Sequence, residues 1–174
     1  LLETARRIAD GQSVAEHRDV VAEFWAGFNR VAQANPDAWN RAPMTAAQIA
    51  TTTPKNRLIA YPYNKWHVSQ QNVDQASALV FCSVAHAEAL GVARDRWVFP
   101  HVIVDSNHMV PVSRRAVMHR SPGFAIAGAR AFALAGAGAD DIAHVDVYSC
   151  FPIAARTQAL ELGLGTDRPL TVTG

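Results

Sequence analysis

The chain has little cysteine, almost no excess charge and no long apolar run. Its two cysteines, Cys82 and Cys150, make no disulfide framework, so reduced thiols are the expectation. Lys and Arg number 16 against 15 Asp and Glu, a net charge of +1, which removes the electrostatic case for nucleic acid or an anionic membrane as partner. The longest apolar stretch, residues 125–139, is interrupted by Arg130. It falls short of the roughly 20 residues that a bilayer-spanning helix needs. The first residues, LLETARRIAD, lack the basic-then-apolar pattern of a signal peptide. Together these features lead us to expect a cytoplasmic protein. With 174 residues, 49% of them apolar and 18% charged, the chain can bury a sizeable single core.

Several chemistries lack their fingerprints. No G-x-G-x-x-G follows a strand-like run, no P-loop occurs, and the G-x-S-x-G elbow of hydrolases is missing. The seven histidines, His17, His67, His86, His101, His108, His119 and His144, form no H-x-x-x-H and join no C-x-x-C. No metal site is expected from them.

What is present is a series of helix signals. Residues 2–9 have helical composition and end before Gly11. Ser13 and Glu16 have capping-box spacing. Behind them Val14, Val20, Val21, Phe24, Trp25, Phe28 and Val31 recur at roughly helical intervals until Asn35-Pro36. A short helix is expected within 45–53, another after Ser83 up to Leu90-Gly91, and a Pro-opened one from Ser121-Pro122 to Gly136. Strands are expected at 58–61, at 97–104 (dense in Val, Ile, Trp and Phe, and read as buried on both faces), at 144–148 and at 170–173. Residues 76–82 fit helix or buried strand by pattern alone. The later half alternates helix and strand, which argues α/β with a largely parallel sheet.

Two places look suited to contact a ligand. Residues 62–72 form a polar and aromatic loop without periodicity, offering Tyr63, Lys65, Trp66 and His67. The second is the corner where the run 144–148 meets a Pro-opened helix at 152–162. Open α/β sheets place their chemistry where strand gives way to helix, because the helix start offers free N–H groups. Tyr148, Ser149, Cys150 and Phe151 crowd that corner. A thiol at a helix N-terminus has a lowered pKa, which makes Cys150 a candidate reactive group.

The corner, DIAHVDVYSCF, resembles a segment of the thiolase superfamily, in which an (Asn/His)-(Glu/Asp)-(Ala/Cys)-Phe motif follows a strand. NPDAWNR at 35–41, PKNRLIAYPYNKW at 54–66, NVDQASALVFCS at 72–83 and RPLTVTG at 168–174 agree in order and spacing. The likeness is closest to the sterol-carrier-protein-type thiolases and the thiolase-like acetyl-CoA acetyltransferases. It implies an α/β fold of layered helices and mixed sheet, of which this chain is a central fragment. Residues 1–75 would close the N-terminal half, and residues 76–174 would form a strand–helix core leading into the C-terminal half. It also favours strand over helix at 76–82.

For function the resemblance implies acyl transfer from an acyl-CoA thioester, which is the substrate, with no bound cofactor, in lipid metabolism. The family's acyl-accepting cysteine lies in an earlier segment, and the position of Cys150 is not its nucleophile. Tyr148 stands where the family has Asn or His, which orients a water against the thioester oxygen. A Tyr hydroxyl can donate to a developing oxyanion but, with an ordinary pKa of about 10, cannot serve as the base. The catalytic candidates are therefore Tyr148 and Cys150. The substrate-binding candidates are Ser149, Phe151, Tyr63, Lys65, Trp66 and His67. The fragment alone is expected not to catalyse. Two alternatives stand beside acyl transfer: a non-catalytic acyl-CoA-binding module, or an aldolase subunit acting on CoA-thioester side chains. A homodimer or a partner subunit is the expected assembly.

Overall fold

Local capping decides where most helices begin and end. The computed structural model describes residues 1–70, 72–74, 76–147 and 150–174. Helix α1 covers Leu2–Ala9, and the chain turns at Gly11, whose φ of +66° suits a residue without Cβ. Helix α2, Val14–Ala34, opens on the expected capping box: Glu16 N–H donates to Ser13 Oγ at 3.2 Å and Ser13 N–H to Glu16 Oε2 at 2.8 Å. A second box, Thr45 with Gln48, opens α3, Ala46–Ala50. Helix α4, Val84–Ala89, starts at Ser83, whose Oγ accepts the His86 N–H at 3.2 Å. Helices α5, Pro122–Ala135, and α6, Pro152–Glu161, both carry Pro in the first turn, and α5 ends at Gly136 with φ +63°.

Helix α2 stands between two apolar clusters. On one side Ala22 and Ala26, one turn apart, leave room for α3 to bring Ile49 against them. On the other, Phe24, Trp25 and Phe28 pack on Val145, Val147, Ala155, Ala159, Leu164 and Leu170. Trp25 stacks on both Phe24 and Phe28, with the Trp25 and Phe28 centroids 4.8 Å apart. The expected aromatic stripe is thus core. Helix α5 meets α6 closely at Gly128, where a Cβ would come within 2.2 Å of Leu162 Cδ2.

Of the expected strands, the run at 58–61 forms and the others differ. Among the described residues the sheet is a single antiparallel hairpin, β1 Leu58–Ala60 with β2 Tyr63–Asn64, joined through the cis bond Tyr61–Pro62. The run 97–104 is neither a strand nor buried: Val98 and Ile103 are each 88% exposed. The run 76–82 is likewise extended without a ladder and exposes Leu79, Val80 and Phe81. A strand needs another backbone's N–H and C=O beside it, and no ladder joins these two runs to another described segment. The segments 144–147 and 170–173 come nearest to the expected pairing. Val147 N–H donates to Leu170 C=O at 2.9 Å, and Val145, Val147 and Leu170 are buried, but no ladder follows. Mixed helix with a small sheet is the architecture observed, and the parallel sheet expected of the later half is not among the described residues.

Candidate functional site

The loop and the corner, far apart in sequence, meet in space. The loop is first made rigid by two buried asparagines. Asn56 Nδ2 donates to the carbonyls of Ile49 at 2.9 Å and Thr51 at 3.0 Å, while its Oδ1 accepts the Trp66 N–H at 3.0 Å. Asn64 Nδ2 donates to Ala50 C=O at 2.9 Å, and its Oδ1 accepts the Thr52 hydroxyl. These amides satisfy carbonyls at the end of α3 that have no partner within the helix. They fix the turn at 65–67 on that end.

From that base the loop reaches α6. Ser69 N–H donates to Cys150 C=O at 3.2 Å. The Tyr63 ring stacks on Phe151, with centroids 5.8 Å apart and planes 25° from parallel. The Tyr63 hydroxyl donates to Glu3 Oε2 and accepts the Ile153 N–H at 3.3 Å. Glu3 is buried on α1, and its Oε1 also accepts from Arg156 Nη1 at 2.8 Å and His17 Nε2 at 2.9 Å. Burial and the neighbouring Glu3 carboxylate push the Tyr63 phenol above its ordinary range, so Tyr63 stays protonated. Burial also holds His17 below the usual histidine value, opposed by Glu3.

The proposed contact residues divide into those turned inward and those turned outward. Tyr63 and His67 are buried, and Trp66 is half-buried. His67 Nδ1 accepts the Asn64 N–H at 3.0 Å. Burial brings its pKa down to about 4, and the Arg18 charge pushes the same way. Lys65, Cys150 and Phe151 are exposed. Exposed chemistry at the corner thus includes a thiol and an aromatic ring, and the loop exposes the Lys65 amine. Tyr148 and Ser149 lie outside the described residues. The sequence reading missed Glu3, His17 and Arg156, which support the corner from 153 residues apart in the Glu3–Arg156 case.

A further cavity lies elsewhere. About 750 Å³ opens between α2 and the segment 166–170, lined by Phe24, Phe28, Arg30, Arg156, Arg168 and Leu170. It shares only Arg156 with the supports of the corner. Among the described residues no His, Cys, Asp and Glu group of three or more could hold a metal ion. No helix there is long and apolar enough to cross a membrane.

No protein-family model matches the chain, and no curated protein matches it. Among solved structures the chain is similar to a monomeric SCP2-thiolase like protein type 1 from Mycobacterium smegmatis. The TM-score is 0.83 and the identity 34%, over 99% of this chain and 38% of that one. The chain therefore spans well under half of that protein's length. At this identity and fold agreement the chain is thiolase-like, and within that superfamily it resembles the SCP2-thiolase branch.

Proposed function

We propose that the chain forms part of a thiolase-like protein that acts on acyl-CoA thioesters, with the corner at 148–151 facing the thioester. The observation that carries this is the similarity to the SCP2-thiolase like protein over 99% of the chain. In that reading the layered helices and mixed sheet of the superfamily frame the site. The acyl group passes from the CoA sulfur to a cysteine thiolate, releasing CoA thiolate, and then to a carbon nucleophile or to another CoA. The Tyr148 hydroxyl donates a hydrogen bond to the oxygen of the bound thioester, and more strongly as negative charge develops there. Cys150 and Phe151, exposed at the corner, and Lys65, exposed on the loop, are the proposed contacts of the ligand. Cys150 is not assigned the acyl-accepting role, because the family's nucleophile stands in another segment.

The test is thiolysis of acetoacetyl-CoA by CoA, catalysed by the protein that carries this chain. Acetyl-CoA should form above the uncatalysed background, and Tyr148→Phe should slow it by about 10²-fold, the scale of one lost oxyanion donor. No acetyl-CoA above background removes the transferase reading.

A second reading, acyl-CoA binding without turnover, is favoured by Tyr148 itself. A phenol, with a reference pKa of about 10, is a poor substitute for the family's His as a base at neutral pH. Saturable thioester binding without acetyl-CoA formation selects this reading.

A further inference from the structure

Helix α6 begins without the means to cap itself. Its N-cap is Phe151, which has no side-chain acceptor, and its first residue, Pro152, has no N–H. Ile153 therefore carries the first N–H that needs a partner. That partner comes from 90 residues away: Tyr63 Oη accepts it at 3.3 Å. The oxygen can do so because its own proton is committed to Glu3 Oε2. Glu3 Oε1 in turn accepts from Arg156 Nη1 at 2.8 Å, and Arg156 stands one turn further along α6. The contacts close a ring that leaves α6 at Ile153, passes through Tyr63 and Glu3, and returns at Arg156. Glu3 and Tyr63 are 4% and 8% exposed, so water does not compete for these bonds.

We propose that Tyr63 is a positioning residue: oriented by Glu3 and Arg156, its hydroxyl replaces the missing N-cap of α6 and fixes the corner at Cys150 and Phe151. A Ser or Asp at position 151 would cap locally but would leave the corner independent of the loop. A cap delivered by Tyr63 instead ties the corner to the loop that stacks on Phe151 and bonds Cys150 C=O. The capping rests on the geometry alone; its consequence for ligands rests on the reading of the corner as the thioester-facing site.

Tyr63→Phe keeps the ring and its stacking and removes only the hydroxyl. Two signals follow it, both read in the protein that carries this chain. One is amide hydrogen exchange at Ile153. The other is the rate of Cys150 alkylation by iodoacetamide, read on the peptide that contains Cys150 after proteolytic digestion. Ile153 exchange should accelerate, and the alkylation rate should change, each by roughly threefold to tenfold, the equilibrium equivalent of one intramolecular hydrogen bond. Val21→Ala, which opens the buried face of α2, should leave both signals unchanged. Glu3→Gln, which removes the charge that orients the hydroxyl, should move both as Tyr63→Phe does and serves if that variant fails to fold. An unchanged Cys150 rate, or an equal change in Val21→Ala, overturns the proposal. Failure of acyl-CoA binding with the Cys150 response intact removes the proposed function and leaves the positioning role standing.

Discussion

At the scale of single residues, burial rather than charge pairing sets His67 apart. Its Nδ1 needs a lone pair to accept the Asn64 N–H at 3.0 Å, so protonating it breaks a bond as well as burying a charge. Its pKa in the fold is about 4, below the ordinary 6.5. Between those values the unfolded chain binds more protons than the folded one, so stability is full above about pH 6.5 and falls as pH drops toward 4. His17, also lowered by burial, adds in the same direction. Urea melts across this window should show a loss on the order of 3 kcal/mol attributable to His67, the linkage equivalent of that displacement. His67→Gln should flatten the slope by that part; an identical slope in the variant would contradict the assignment. In the sequence, His67 and Tyr63 stand out as loop residues, and their loop does reach the corner. That they turn inward was not legible there. Nothing in their neighbours names Glu3, Asn56 or Asn64 as partners, and a Glu in a helix beside two arginines reads as solvated surface.

At the scale of elements, helices were more legible than strands. The short run at 58–61 forms as expected, and the other expected runs form no ladder among the described residues. The difference has one physical reason. The capping box, the Pro at N1 and the left-handed glycine act within a few residues of the helix end. The ends of α1, α2 and α5 therefore fall where Gly11, Ser13, Asn35-Pro36, Ser121-Pro122 and Gly136 place them. A strand depends on a second backbone that local pattern does not contain. Residues 97–104 have strong β composition, yet they stand exposed and form no ladder among the described residues. The capping account has a direct consequence at α2. Ser13→Ala removes the acceptor for the Glu16 N–H and should cost about 1 kcal/mol, lowering Tm by roughly 2–4 °C in a chain of this size. Calorimetry on the two proteins checks this, and an unchanged Tm would mean that tertiary packing of α2, not its cap, sets its start.

At the scale of the whole molecule, α2 is the element on which the rest is assembled. It separates the Ile49 cluster from the Leu170 cluster, and it carries His17, which contacts Glu3 in the ring that holds α6. The loop over α3, the start of α6 and the N-terminal helix converge on one corner through bonds between residues distant in sequence. A similar arrangement of chain is found in an SCP2-thiolase like protein at 34% identity, and the proposal that the corner faces a thioester rests on that likeness. The most direct test is isothermal titration of acetoacetyl-CoA into the protein that carries this chain, beside Tyr148→Phe. The account predicts saturable binding that weakens when the Tyr148 hydroxyl is removed. Absence of saturable heat for the parent protein, or binding that Tyr148→Phe leaves unchanged, would contradict a thioester held at this corner.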